Sequence, residues 1–274
     1  MKANAHPVID SGTLGESRHC VEVGSLVVSE TVHLPGTEIE SHAHSRASLN
    51  LVLAGRYGEQ TGGEFRLHPP TTLIGKPAGE AHANRFDGRG ARCLLLEFQP
   101  DTLREDHAVA DALRRSSVWP AGTLAALGVR VLRALRREGP PPVAIEDASL
   151  ALVREIGDRR PRVAESDRPS WLKGVSDRIH ATAPDRLRLA ELAAEAHVHP
   201  SHLSETFRRA FGVTISRYVE RLRLERAIHD LAGTEDPIAL VAIRSGFYDH
   251  AHLTRVFRRA TGITPSLFRR TIRS

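Results

Sequence analysis

One sequence motif occurs twice near the C-terminal end of this chain. Seven residues recur at a constant offset of 50 positions: Leu203, Phe207, Arg208, Arg209, Ala210, Gly212 and Thr214, then Leu253, Phe257, Arg258, Arg259, Ala260, Gly262 and Thr264. A repeat this regular indicates one structural unit used twice. Apolar residues at helical spacing precede each copy, so each unit is predicted to be two helices joined by a tight turn.

The predicted turns and helix ends follow from single residues. A left-handed residue is needed in each turn, and Gly246 adopts that conformation without steric cost. His197 occupies the equivalent position in the first unit. Pro200 suits the first turn of a helix, where its missing N–H would be unpaired anyway. Asp249 is expected to cap the corresponding helix of the second unit.

The second helix of each unit is predicted to bear a polar outward face. Arginine can pair with guanine and glutamate can accept from cytosine in the major groove. The predicted DNA-binding residues are Ser201, His202, Ser204, Glu205 and Arg208 in the first unit and His250, Ala251, His252, Thr254 and Arg255 in the second. Residues 214–231 predict one connecting helix of about 27 Å. That helix can hold both reading helices in major-groove turns roughly 34 Å apart.

Charge is divided unevenly along the chain. Residues 170–274 hold 17 Lys and Arg against 11 Asp and Glu, a net charge of +6, whereas the remaining residues carry −1, which gives +5 overall. A basic module joined to a nearly neutral one is typical of a nucleic-acid-binding protein with a separate sensing part. A length of 274 residues also favours two domains.

The segments before the repeat change from strand to helix patterns. Short apolar runs separated by glycines predict a β-sandwich or barrel; they lie at 20–28, 49–53, 71–74 and 93–98. Helical periodicity follows at 103–113, 124–135 and 143–156, and a polar stretch with two prolines at 158–169 indicates a linker. A further helix is predicted from Trp171 to Ala181. The fold class is therefore multidomain α+β.

The repeated units resemble those of the AraC/XylS family of bacterial transcription regulators. The resemblance covers about residues 170–274 and includes Gly246-Phe247, residues 253–259, Gly262 and Thr264-Pro265-Ser266. It implies two helix-turn-helix units in one all-α domain, double-stranded DNA as partner, and control of transcription through RNA polymerase, usually as an activator. His197 and His199 depart from the family, which usually has Gly and Ser at these positions.

Residues 36–82 resemble the paired motifs of the cupin fold, a small jelly-roll barrel. Gly36, His42, His44 and Gly55 match the first motif, and Pro77, Gly79 and His82 match the second. Ser48 stands where the first motif normally carries a glutamate. The resemblance implies a cupin-like effector-sensing domain at 1–100, a helical connector with a possible dimer interface at 101–168, and the DNA-binding domain at 169–274.

Two interpretations of the barrel histidines stay open. Histidines at i and i+2 of a strand share one face, so His42, His44 and His82 are predicted to form a three-imidazole site for a divalent metal. Alternatively, these histidines form hydrogen bonds or line an organic-ligand pocket, with Arg46 and Asn50 as effector contacts. A cupin metalloenzyme carrying a DNA-binding tail is the competing function, and His197, His199 and His202 are a second candidate metal set.

The expected surroundings of the protein follow from its composition. Only two cysteines occur, Cys20 and Cys93, which predicts a reducing compartment rather than a disulfide scaffold. Residues 1–11 lack the apolar core of a secretory signal, and no apolar run is long enough to span a membrane. The protein is therefore expected in the cytoplasm. The resemblance to transcription regulators implies that it has no catalytic residues, and the possible divalent metal in the barrel is the one cofactor considered.

Overall fold

The computed structural model describes residues 7–10, 14–100, 110–111, 113–119, 122–139, 141–159, 168–182 and 188–274. Most of the helix predicted at 103–113 and most of the linker at 158–169 lie outside these residues. The chain forms two compact units. The first, the N-terminal unit, comprises Met1–Gly157 together with Leu267–Ser274, and the second, the helical unit, comprises Asp158–Ser266.

The N-terminal unit is built on nine described strands. They are β1 (Val8–Ile9), β2 (Glu16–Val23), β3 (Leu26–His33), β4 (Glu38–His44), β5 (Ala47–Thr61), β6 (Glu64–His68), β7 (Leu73–Lys76), β8 (His82–Phe98) and β9 (Ser117–Trp119). The order β1-β4-β8-β5-β7-β9 forms the main path, with β2 on β3, β3 also on β8, and β6 on β5. All these pairs are antiparallel except β1 with β4.

The two faces of the central strands differ in chemistry because successive side chains point to opposite sides. Leu49 lies opposite Leu96 and Leu51 opposite Leu94, and all four are fully buried on what we name the apolar face. On the other side, the polar face, Ser48 is the cross-strand neighbour of both Lys76 and Glu97. A fold that buries this polar face must satisfy its side chains internally or with a ligand.

In the described part of the chain, helices α1 (Thr123–Leu135) and α2 (Pro142–Asp158) follow these strands, and both group with them except for Asp158. Helix α1 packs on the apolar face so closely that a Cβ added at Gly128 would lie 2.5 Å from Cδ2 of Leu51. The glycine therefore permits the close approach of helix and sheet. The helices predicted at 124–135 and 143–156 are present, but they belong to the same compact unit as the strands rather than to a separate connector.

The helical unit contains α3 (Ser170–Thr182), α4 (Leu189–Glu195), α5 (Pro200–Phe211), α6 (Ile215–Gly233), α7 (Ile238–Arg244) and α8 (His250–Thr261). Its apolar positions recur at helical spacing, and Leu172, Leu192, Leu203 and Phe207 pack in one buried cluster. The predicted connecting helix at 214–231 is α6. No described helix combines the length and the apolar character that crossing a membrane would require.

The last helix, α9 (Pro265–Arg273), ends the chain. Most of it, from Leu267 onward, groups with the N-terminal unit. There Nη2 of Arg92 donates to the carbonyl oxygen of Ile272 at 3.2 Å, and Nη1 of Arg136 donates to Oγ of Ser274 at 3.1 Å. The sequence pattern places α9 with the repeated units, whereas its contacts place it on the strands.

Candidate nucleic-acid interface and histidine pocket

Helices α4 and α5 form one pair, and α7 and α8 form a second with the same local geometry. His197 has φ of 53° and Gly246 has φ of 83°, so both turns contain the left-handed residue that the sequence predicts. Ala193 and Ala242, in the first helix of each pair, are 1% and 0% exposed. A larger side chain at either position would collide with packed neighbours.

The predicted Asp249 cap and the predicted position of Pro200 are present, and His199 caps the first unit although the sequence did not predict it. Oδ1 of Asp249 accepts from the backbone N–H of His252 at 2.6 Å. Nδ1 of His199 accepts from the backbone N–H of Ser201 at 3.3 Å, and Pro200 occupies the first turn. The repeated glycines, Gly212 and Gly262, end α5 and α8 in left-handed conformations. The repeat is therefore a repeat of helix ends as well as of apolar positions.

The outward face of α5 is accessible, although several of its polar groups already have local partners. Ser201, His202, Glu205 and Arg208 are exposed and Ser204 is half-buried. Oγ of Ser204 donates to the carbonyl oxygen of Pro200 at 2.9 Å. Glu205 forms an i,i+4 ion pair of 3.1 Å with Arg209, and the ring of His202 lies 5.8 Å from that of Trp171.

The outward face of α8 presents His250, Ala251 and Arg255 to solvent, with His252 and Thr254 half-buried. The ring of His252 packs against Phe247, with ring centroids 5.4 Å apart. Arg259 pairs with Glu220 of α6 at 2.6 Å. Among the described residues, no hydrogen bond or ion pair is found for the side chains of Arg208, Arg255 or Arg258.

The three predicted metal ligands of the N-terminal unit come together. His42 and His44 on β4 and His82 on β8 place one ring nitrogen each within 4.8 Å of the others. The ring centroids of His42 and His82 are 4.4 Å apart. No other group of three potential ligands gathers in the described part of the chain, so the set of His197, His199 and His202 does not converge there.

Backbone contacts orient two of these imidazoles. Nδ1 of His42 lies 2.8 Å from the carbonyl oxygen of Glu40, and Nδ1 of His82 lies 3.0 Å from that of Glu80. A carbonyl accepts only, so both Nδ1 atoms carry the proton and each Nε2 keeps its lone pair. This is how metal-binding histidines are usually oriented.

Burial keeps the three histidines neutral. Desolvation lowers the pKa of His42, lowers that of His44 to about 4, and lowers that of His82 to about 2. The nearby positive charge of Lys76 acts in the same direction and contributes to these lowered pKa values. Neutral imidazoles are competent ligands at neutral pH.

The cluster lines a small cavity on the polar face, which we name the histidine pocket. Its volume is about 30 Å³. That volume holds a water molecule or an ion, but it is an order of magnitude below the 300–1,000 Å³ or so of organic-ligand pockets. Asn50 lines this pocket, whereas Arg46 is not part of its lining.

A buried ion pair lies beside the pocket and carries no local sequence signal. Nζ of Lys76, which lines the histidine pocket, pairs with the Glu59 carboxylate and donates to the hydroxyl of Tyr57 at 3.3 Å. Lys76 and Glu59 are 6% and 8% exposed. They lie on different strands and 17 positions apart, so only the pairing of β5 with β7 reveals them.

Comparisons with known proteins bear on the two helix pairs and on the family of the chain. A family model described as a helix-turn-helix domain matches residues 192–271. The HTH-type transcriptional regulator YobQ of Bacillus subtilis is 33% identical over 235 residues, which cover 85% of this chain and 90% of that protein.

Two further similarities cover only part of this chain. The bifunctional transcriptional activator and DNA repair enzyme AdaA of the same organism is 27% identical over 100 residues, 36% of this chain and 47% of that protein. A solved AraC-type transcriptional regulator from Chromobacterium violaceum is 25% identical, with a TM-score of 0.36, over 37% of this chain and 91% of that one.

Proposed function

The chain belongs to the AraC/XylS family of DNA-binding transcriptional regulators, and from that premise we propose that both of its helix pairs are helix-turn-helix units that read neighbouring turns of the major groove. It is a regulator of transcription and not an enzyme. In a bacterial cell such a regulator meets its DNA in the cytoplasm, where we place it.

The observation that supports this proposal is that equivalent arginines lie on two exposed faces, with side chains that have no partner in the part of the chain that the structure describes. Arg208 and Arg258 occupy the same position of the repeat, near the ends of α5 and α8, and both are exposed. Arg255 lies one turn earlier on α8 and is also exposed. We assign Arg255 to base contact and the Arg208–Arg258 pair to phosphates.

Replacement of Arg255 tests the base contact. Arg255→Ala is expected to weaken binding to the cognate site by roughly 1–3 kcal/mol and to relax preference at one base position. Lys173→Ala, which removes one exposed positive charge from α3, is the matched control. Selection of binding sites from a random DNA library, followed by gel-shift titration, measures both effects. Equal sequence preference in the Arg255 variant and the wild type would remove Arg255 from base readout.

The N-terminal unit is proposed to sense a small molecule. The resemblance to cupins and the buried polar face support a barrel-like sensor whose interior offers hydrogen bonds. A ligand can change DNA binding only if it prefers one arrangement of the protein over another. Activation through RNA polymerase and formation of a homodimer are further parts of this proposal. Reporter transcription and analytical ultracentrifugation, with and without ligand, test them.

We also propose that the histidine pocket holds a divalent metal such as zinc. Three neutral imidazoles with two fixed Nε2 lone pairs fit the donor set of a His₃ site, and about 30 Å³ suits an ion. The ammonium of Lys76 would oppose a cation, but the Glu59 carboxylate offsets its charge.

Metal content decides this second proposal. Mass spectrometry of protein purified from zinc-supplemented cells is expected to find about one zinc per chain. His82→Ala should lose it, whereas His229→Ala, an exposed histidine on α6, should retain it. If the zinc content of the wild type does not exceed that of the buffer, the metal proposal is wrong and the histidines act only as hydrogen-bonding groups.

A further inference from the structure

One carboxylate on the connecting helix α6 contacts both its own helix and the second reading helix, and we propose that this residue, Glu220, is a positioning residue for DNA recognition. Nη1 of Arg217 on α6 donates to Oε1 of Glu220 at 3.1 Å, and Nη2 of Arg259 on α8 donates to Oε2 at 2.6 Å. Glu220 thereby holds α8 at one position on α6. This inference rests on the proposed function, because it concerns the spacing of the two helix pairs on DNA.

The two units of the repeat pair the same arginine in different ways. Arg209 and Arg259 are equivalent at the offset of 50 positions. Arg209 pairs with Glu205, one turn earlier on the same helix, at 3.1 Å. The second unit has Arg255 in place of that glutamate, so Arg259 has no carboxylate one turn earlier on α8 and pairs with Glu220 instead. A pair within one helix is thus replaced by a pair that joins two helices.

An open cleft between the two reading helices makes their attachment to α6 important. The cleft has a volume of about 700 Å³, and its lining includes Ser204 and Arg208 of α5, Glu220 of α6 and His252 of α8. Because side chains do not fill this space, packing across it does not fix the distance between α5 and α8. That distance depends on how each helix is attached to α6.

The surroundings of Glu220 favour one defined geometry of the bridge. Its side chain is 26% exposed, whereas those of Arg217 and Arg259 are 58% and 54% exposed. Each carboxylate oxygen has its own guanidinium group, so Arg217 keeps the other oxygen directed at Arg259. Ion pairs between partly exposed side chains contribute little to stability. Loss of the bridge is therefore expected to loosen the placement of α8 without unfolding the helical unit.

A looser α8 should show itself in how the protein tolerates the spacing of its two contact regions on DNA. One added base pair moves the second region by about 3.4 Å and turns it by about 34°. An α8 that is tied to α6 cannot follow this shift, whereas an α8 attached only through its apolar face can tilt toward it. The bridge is therefore expected to make the protein discriminate against a wrong spacing.

The spacing ratio, which we define as the dissociation constant for the lengthened DNA divided by that for the original site, isolates this effect. Removal of one negative charge beside DNA strengthens binding to both duplexes alike, because the added attraction to phosphates does not depend on sequence. A change in the ratio therefore reports the placement of α8 and not the net charge of the protein.

The experiment uses the full-length protein, the binding site selected from a random library, and the same site with one base pair added between the two contact regions that footprinting locates. Glu220→Gln removes the charge at nearly constant shape. Asp177→Asn removes a carboxylate that pairs with Lys173 within α3, so it is the matched control. Gel-shift titration gives the spacing ratio of each protein, and circular dichroism verifies that each variant is folded.

Glu220→Gln is expected to lower the spacing ratio about threefold, in line with the small contribution of a partly exposed ion pair, and Asp177→Asn should leave the ratio unchanged. Arg259→Gln should lower it to the same extent, and the double variant should show no further loss, because the two residues act through one contact. Exchange of the charges, Glu220→Arg with Arg259→Glu, should recover most of the ratio.

Three results would overturn the assignment: an unchanged ratio in Glu220→Gln, an equal loss in Asp177→Asn, or a loss in the double variant that equals the sum of the two single effects. A wild type that binds both duplexes equally would contradict simultaneous reading by two helix pairs, which is the proposed function on which this assignment depends.

Discussion

Glu30 shows how much a single buried carboxylate can organise. Its side chain has no exposed surface, and it accepts a 2.8 Å hydrogen bond from Nε of Arg136 while Arg92 lies 3.7 Å away. The same two arginines contact Ile272 and Ser274 at the C-terminus. Burial alone would raise the pKa of the Glu30 carboxyl, but the hydrogen bond and charge of Arg136, with Arg92, lower it below 4.5.

Loss of this carboxylate is expected to destabilise the fold. Glu30→Ala leaves two partly buried guanidinium groups without their partner, which costs roughly 3–5 kcal/mol. Because the folded pKa is lowered, the stabilisation by Glu30 is complete above pH 4.5 and is lost as the pH falls through the folded pKa. Urea unfolding should therefore show a large difference between variant and wild type at pH 7 and a smaller one at pH 3. A difference that does not depend on pH would refute the electrostatic explanation.

His197 is a residue whose backbone conformation favours glycine. A left-handed conformation costs a non-glycine residue roughly 1–2 kcal/mol in the folded protein. Glycine avoids this cost, but its greater freedom in the unfolded chain lowers the free energy of unfolding by about 0.5–1 kcal/mol. His197→Gly is therefore expected to stabilise the protein by about 0.5 kcal/mol or slightly more. Gly246→Ala, the equivalent turn, should destabilise it. Thermal unfolding measures the change in stability of both variants. A change of the same sign in both would contradict this explanation.

At the scale of elements, the sequence predicts those helices whose ends are set by local chemistry. The boundaries of α5 and α8 follow from Pro200, Asp249 and the repeated glycines. The strands are predicted only in part. The apolar run at 49–53 marks less than half of β5, because the remainder is interrupted by glycines and by polar residues such as Glu59 and lacks a continuous apolar signal. Strand β6 was missed for the same reason, since four of its five residues are exposed.

The candidate sites also differ in how far the sequence predicts them. The three histidines are predictable because strand periodicity and a known motif place them together. The Glu59–Lys76 and Glu30–Arg136 pairs are not, because each depends on long-range packing. A local pattern contains no information about which distant strand or helix supplies the partner.

The side-chain cap of α8 is expected to stabilise the helix that carries the proposed base contacts. Asp249→Ala removes the side-chain acceptor from the first turn of α8, and such a loss typically costs about 1 kcal/mol of stability. The longer His199 bond on α5 is expected to contribute less, so His199→Ala serves as the comparison. Chemical unfolding gives both values. A larger loss in the His199 variant would show that the cap distances do not rank the two helix starts.

At the scale of the whole molecule, the sequence predicts three parts and the contacts form two units. Helix α1 covers the apolar face of the N-terminal unit, α2 up to Gly157 belongs to the same unit, and residues 267–274 join them although the repeat assigns them to the DNA-binding part. The charge asymmetry becomes smaller with this division, because Arg269, Arg270 and Arg273 belong to the N-terminal unit. The helical unit holds 18 Lys and Arg against 14 Asp and Glu, a net charge of +4, and the rest of the chain carries +1.

Helix α6 is expected to set the spacing of α5 and α8 on DNA. Helix α6 has 19 residues, so it spans about 28 Å as a continuous rod. A rod fixes the distance between the two DNA contacts, whereas a flexible linker would adapt to several distances. Insertion of five base pairs between the two contact regions turns one of them to the opposite face of the duplex. Affinity should then fall to that of a single half-site, and insertion of ten should not restore it, because the helix cannot lengthen by a further 34 Å or so. Gel-shift titration of the three DNA lengths measures this, and recovery with ten added base pairs would mean that the two helix pairs are not held rigidly by α6.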